Sequence, residues 1–191
     1  MTREEKKIEI LKAAAIVFSK NGFYAAKMED IAKQAGIGKG TVYGYFDSKE
    51  ALFHELLKYG IEEYKEGMEK VLKGKGSVKE KTIELFKYHG KFLTKYIDIA
   101  QIFINQQAVF PKELRKEMLK EKMKLFSMLK EMIEQGKKDG ELRDDLDEEL
   151  VTLSIAGSIS QFYGKKVFFD NYSYDEISPE PMVEILFKGY I

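Results

Sequence analysis

The stretch Met28-Glu29-Asp30-Ile31-Ala32-Lys33-Gln34-Ala35-Gly36-Ile37-Gly38-Lys39-Gly40-Thr41-Val42-Tyr43-Gly44-Tyr45-Phe46 decides how the chain is read. A short helix is predicted over 28–34, and Gly36 can take the left-handed conformation that closes it. A second is predicted to begin near Lys39 and to end by Phe46. Two short helices joined by a glycine turn, the second bearing small, hydroxyl and aromatic residues, form the general pattern of a helix-turn-helix. Ile31, Ala32, Ile37 and Val42 are expected to pack the pair against the preceding helix, and small Ala32 and Gly36 permit a close crossing. Lys39, Gly40, Thr41, Tyr43 and Tyr45 are then left on the outward side. The first residues of that second helix would face base edges, while hydroxyls and lysines would hold phosphates.

Outward from this stretch, every segment again reads as helix. Ile8, Leu11, Ala15 and Phe18 recur at helical spacing, giving a first helix over about 3–20 with Asn21-Gly22 as its stop. Asp47 or Ser48 is expected to cap a long helix reaching about Leu72. Lys73-Gly74-Lys75-Gly76 breaks the chain, and Ser77 caps a helix over about 78–96. Further helices are predicted over about 99–108, from Pro111 to Gly136, over about 148–169, and from Ser178-Pro179 to Tyr190. About nine helices and no strand alternation make the fold class all-α. The helix at 148–169 is apolar on two sides, with Leu150, Leu153, Gly157 and Gly164 on one and Val151, Ile155, Phe162 and Phe169 on the other. A helix apolar all round needs neighbours on both.

Composition excludes several classes. The chain has 191 residues, of which 44% are hydrophobic, and this supports a packed core rather than disorder. It has no cysteine, so disulfide frameworks, thiolate zinc sites and cysteine nucleophiles are excluded together. No secretory signal is read at the start, and the longest uncharged apolar stretch, 150–164, is too short to span a membrane; a cytoplasmic protein is expected. The formal net charge is zero. Residues 1–60 hold ten Lys/Arg against eight Asp/Glu, an excess of two cations, and the remainder carries the opposite excess. That asymmetry is too small to mark nucleic-acid binding, so the motif must carry it.

The wider run of Gly22-Phe23, Met28-Glu29-Asp30-Ile31-Ala32, Ala35-Gly36-Ile37, Gly40-Thr41-Val42-Tyr43 and Tyr45-Phe46-Asp47-Ser48-Lys49-Glu50-Ala51-Leu52 closely resembles the DNA-binding domain of the tetracycline-repressor (TetR) family. Gly140-Glu141-Leu142-Arg143-Asp144-Asp145-Leu146-Asp147 resembles the turn before that family's dimerisation helix. The resemblance implies a helix-turn-helix DNA-binding domain over 1–47 and a ligand-binding and dimerisation bundle over 48–191. It implies a sequence-specific regulator of transcription, a repressor released from a palindromic operator when a small apolar or amphipathic effector binds. Thr41, Tyr43, Tyr45 and Lys49 would contact the DNA backbone, Lys39 and Gly40 the base edges, and Lys27 and Met28 the adjacent backbone. Tyr64, Phe86, His89, Phe92, Phe103, Gln106, Phe110, Phe126 and Phe162 would line an effector cavity. Leu153, Gly157, Ser160, Gly164, Met182, Ile185 and Leu186 would lie in a homodimer interface. Lys27 and Gly38 depart from the family pattern, standing where it has a capping threonine and a capping serine. Each departure costs up to about 1 kcal/mol at its helix.

Other chemistry is weaker. Gly36-Ile37-Gly38-Lys39-Gly40-Thr41 lacks both the Gly-Lys-Ser/Thr spacing and the preceding strand of a phosphate-binding loop. His54 and His89 lie on different helices without a second metal ligand at suitable spacing. Asp144, Asp145, Asp147, Glu148 and Glu149 read as a solvated turn facing the positive end of a helix dipole. No catalytic centre, metal or cofactor is expected. A helical enzyme or carrier, or an adaptor binding protein through the N-terminal face, would each leave Thr41, Tyr43, Tyr45 and Lys49 on one surface unexplained. If Lys27, Lys39 and Lys49 each neutralise one phosphate, a dimer makes about six such contacts, and log affinity should fall with log salt at a slope near −5. A titration of duplex DNA at several salt concentrations measures this, and a slope near zero would exclude DNA as the partner.

Overall fold

The computed structural model describes residues 2–96 and 112–191, and the helix expected over 99–108 lies outside them. The described chain is helical: α1 (Arg3–Ala25), α2 (Met28–Gln34), α3 (Lys39–Tyr43), α4 (Lys49–Leu72), α5 (Val78–Lys95), α6 (Lys112–Lys138), α7 (Glu148–Tyr163) and α8 (Glu180–Phe187). None of the described helices is long and apolar enough to cross a membrane. The chain divides into two compact units. One is formed by the described residues of Met1–Glu63 and Tyr96–Met118, the other by those of Tyr64–Lys95 and Leu119–Ile191.

The first unit is built on α1. Thr2 caps it reciprocally: the Thr2 hydroxyl accepts the Glu5 N–H, and the Glu5 carboxylate accepts the Thr2 N–H. The predicted stop is present at Gly22, whose φ of 72° and ψ of 167° interrupt the helix before a last turn reaching Ala25. Ile10, Leu11, Ala14 and Phe18 of α1 are buried with Ile31 and Ala32 of α2, Val42 of α3, and Leu52, Phe53 and Leu56 of α4. Ile37, expected in this core, is half-buried. Gly36, with φ 66°, closes α2 as its sequence position demands. Ser48 caps α4 by accepting the Ala51 N–H at 3.0 Å. Lys27 and Gly38 precede α2 and α3 without any side-chain cap bond.

The second unit is organised around α5, which packs on α7, on α8 and on a short 3-10 turn, Tyr174–Glu176. Its N-terminus is closed by Ser77 and Glu80 in mutual hydrogen bonds, and the Val78 N–H donates to the Glu141 carboxylate at 2.6 Å. Two buried hydroxyls satisfy themselves along their own helices, Thr82 on the Val78 carbonyl and Thr152 on that of Glu148. The helix expected to continue to Phe169 changes character after Tyr163. Residues Gly164–Phe169 wind as wider π-type turns. Phe169 is 81% exposed, whereas Val151 and Ile155, read on the same side, are buried.

Gly90 marks a tight helix crossing in this unit. A Cβ there would sit 2.2 Å from the ring of Tyr163, which is fully buried. Alanine gains about 1 kcal/mol of helix propensity over glycine, but overpacking a filled site costs about 1–3 kcal/mol. Gly90→Ala should therefore lower the urea midpoint, by up to about 2 kcal/mol of stability. An unchanged or raised midpoint would mean that the Tyr163 ring can move aside.

Candidate nucleic-acid interface and sensing core

α2 and α3 place their apolar residues inward and their polar ones outward. Lys27, Lys39, Gly40, Thr41 and Tyr43 are exposed, while Tyr45 and Lys49 are half-buried. The Met28 side chain is only 6% exposed, in register with Ile31 and Ala32, so a contact of this residue with the DNA backbone would run through its main chain at the start of α2.

Electrostatics on this face are partly settled inside the protein. The Lys39 ammonium pairs with the Glu29 carboxylate, joining α3 to α2. Their hydrogen bond, more than their charge, holds the Glu29 carboxyl below its usual range and the Lys39 ammonium above its own. Lys49 donates to the carbonyls of Tyr24 at 2.9 Å and Ala26 at 3.1 Å, and lies 4.8 Å from the centre of the Phe23 ring. It thus clamps the segment leading into α2, with one of its three N–H donors left for another partner. The Arg3 guanidinium stands over the Tyr45 ring at 5.7 Å. Glu29 and Arg3 were absent from the sequence-predicted site. No local spacing points to Arg3, because it reaches Tyr45 only through the fold.

In the second unit, the expected effector residues Tyr64, His89, Phe92, Phe86 and Phe162 join one aromatic cluster. The Tyr64 hydroxyl and His89 Nδ1 are 2.8 Å apart, and the Tyr64 and Phe92 ring centres 4.9 Å. His89 continues to Tyr163 at 5.8 Å, Tyr163 to Phe162 at 5.1 Å, and Phe162 to Phe86 at 5.8 Å. Burial pushes the His89 pKa down to about 4 and raises that of Tyr64, so both are neutral near pH 7. Phe126 is half-buried on α6. Phe103, Gln106 and Phe110 lie outside the described residues. A groove of about 310 Å³ opens elsewhere in this unit, among Leu72, Val78, Met132, Gly136 and Glu141, and none of the expected effector residues lines it.

α7 and α8 bury Val151, Ile155, Ile159, Val183 and Phe187. Their other sides leave Leu150, Leu153 and Ile185 more than half exposed. Gly157 and Ser160 are exposed beside them, and Gly164, Met182 and Leu186 are half-buried. The residues expected at a dimer interface therefore retain accessible surface in the single chain.

Two short helices at a glycine turn, with hydroxyl, tyrosine and lysine side chains directed outward, define a helix-turn-helix DNA-binding protein. Residues 10–56 match the family of bacterial regulatory proteins called the tetR family, and residues 75–164 match a tetracyclin repressor-like C-terminal domain. The fatty acid metabolism regulator protein of Bacillus subtilis is 29% identical over 191 residues, covering 98% of this chain and 96% of that protein. The HTH-type transcriptional regulator YdgC of the same organism is 32% identical over 161 residues, covering 81% and 77%. The crystal structure of FadR from Bacillus subtilis in complex with stearoyl-CoA aligns with a TM-score of 0.72 at 28% identity, covering 95% of this chain and 98% of that one. The chain belongs to the TetR family and is a DNA-binding transcriptional regulator.

The two lysine contacts separate by their effects on folding. Lys49→Met should lower both the melting temperature and DNA affinity, because the segment before α2 loses its clamp. Lys39→Met should lower affinity alone, since its partner Glu29 is exposed and an exposed ion pair contributes little to stability. Equal melting temperatures for the two variants, measured by calorimetry, would show that the Lys49 clamp contributes nothing.

Proposed function

We propose that this protein is a homodimeric repressor that leaves a palindromic operator when a long-chain acyl-CoA thioester binds its C-terminal domain. The observation that carries the reading is similarity along nearly the whole of both chains to the Bacillus subtilis fatty acid metabolism regulator, together with the likeness to a FadR solved with stearoyl-CoA. Residues 1–47 form the reading head and residues 48–191 the sensing and dimerising domain, in a cytoplasmic protein. Lys39 and Gly40 meet base edges; Thr41, Tyr43, Tyr45, Lys49 and Lys27 meet backbone, with Met28 acting through its main chain.

The chemistry of the cluster supports an apolar acyl chain. Tyr64, Phe86, Phe92 and Phe162 offer ring surface, and a neutral His89 hydrogen-bonded to Tyr64 offers polarity without charge. The exposed leucine and isoleucine side chains of α7 and α8 support the dimer, because apolar area left in water is unfavourable by about 25 cal/mol per Å². Two reading heads held about 34 to 36 Å apart fit successive major grooves on one face of B-DNA. An effector that disfavours this spacing by about 1–3 kcal/mol lowers operator affinity several-fold to over a hundred-fold.

The test begins with selection of binding sites from random duplex DNA, followed by anisotropy titration of the enriched site with and without stearoyl-CoA. A palindromic site released by the thioester is expected. Tyr43→Ala should abolish binding while light scattering still reports a dimer. Failure to enrich any site would overturn the assignment of the reading head, and retention of the site at saturating stearoyl-CoA would overturn the effector class.

A further inference from the structure

We propose that Arg3, outside the helix-turn-helix, is an additional backbone anchor of the reading head and delivers a guanidinium to a DNA phosphate from the first turn of α1. The proposal rests on the reading of the α2–α3 face as the DNA-binding surface.

Three observations place it there. The reciprocal cap between Thr2 and Glu5 fixes the first turn of α1, so Arg3 projects from an ordered helix end and not from a loose arm. Its guanidinium lies over Tyr45, the tyrosine that follows the exposed Thr41 and Tyr43 along the outward face. Among the described residues Arg3 has no carboxylate partner. Three other cations of the unit are committed: Lys7 to Glu55, Lys39 to Glu29, and Lys49 to the carbonyls of Tyr24 and Ala26. A lysine already paired must give up its partner before a phosphate gains anything from it. Arg3 gives up nothing.

The chemistry of the side chain completes the argument. A guanidinium over an aromatic ring interacts through its flat face, while its five N–H donors lie in the plane at its edge. Tyr45 can therefore orient the fork without consuming the donors that would grip two phosphate oxygens side by side. A lysine in the same place would supply the charge as a point, without the planar fork. The contact carries no base information, so it should tighten binding to every duplex alike.

The experiment compares wild type, Arg3→Ala and Arg3→Lys on the selected operator and on a scrambled duplex across a salt series, with melting temperatures recorded for each. Two phosphates lost per dimer make the log affinity versus log salt slope of Arg3→Ala shallower by about 2. An affinity loss of about tenfold or more on both duplexes at low salt and an unchanged melting temperature are expected alongside. Arg3→Lys should recover the slope but only part of the affinity. If Arg3→Ala keeps the wild-type slope, whether or not affinity falls, the residue merely props Tyr45 and the proposal is overturned. A flat slope in wild type itself would instead bring down the DNA-binding reading on which the proposal rests, and the two failures are thereby told apart.

Discussion

The reading head depends on the ring of Phe23 seated between Phe18 and Phe53. The centres lie 5.8 Å and 4.8 Å away, and Phe18 and Phe53 also meet directly at 5.1 Å. Only a glycine at position 22 turns the chain sharply enough to insert that ring, because its positive φ with extended ψ is closed to side-chain-bearing residues. The same turn brings the carbonyls of Tyr24 and Ala26 to Lys49 at the start of α4. The packing of three rings and the clamp of one ammonium therefore fix the first turn of α4 and the entry to α2 as one body. A displacement of that end of α4 carries the start of α2 with it, since interiors packed at this density do not deform continuously.

A net charge of zero is compatible with DNA binding once the pairing of individual charges is followed. The Lys39–Glu29 pair must open or shift before Lys39 reaches the DNA, and that cost is the same for every duplex. A duplex that offers Lys39 an acceptor on a base edge offsets it and others do not, so the pair weakens general attachment more than operator binding. Weak general attraction is useful to a regulator that must find one site among a very large excess of others, where the ratio of specific to non-specific affinity matters more than either.

How much was legible follows from which signals are local. α2 was read to the residue because its ends carry their own punctuation: Gly36 closes it at positive φ, and the departure of Lys27 from a capping residue is visible as a missing cap bond. The break at Gly22 and the caps at Ser48 and Ser77 are of the same kind. The end of α7 carries no such mark, since Val167, Phe168 and Phe169 continue an apolar pattern through the point where the turns widen. Met28 was placed on the DNA by family resemblance, although its spacing to Ile31 and Ala32 already set the side chain inward. Arg3 and Tyr45 meet across the unit, and Glu29 meets Lys39 across a turn. Periodicity within one helix contains neither contact.

On the proposed reading, α5 is the element that makes sensing consequential. It carries Phe86, His89 and Phe92 into the aromatic cluster, and it is also the helix on which α7 and α8 pack. At Gly90 it approaches the buried Tyr163 of α7 so closely that no methyl group fits. A chain of carbons entering among these rings cannot be absorbed by a local void at that crossing, because the ring of Tyr163 already fills it. α5 and α7 must therefore shift together. The exposed Leu150 and Leu153 ride on α7, so a ligand that moves this crossing also reorients the apolar surface through which two copies of the chain would meet. Sensing and dimer geometry are then consequences of one helix contact, and a glycine at position 90 is what allows that contact to be so close.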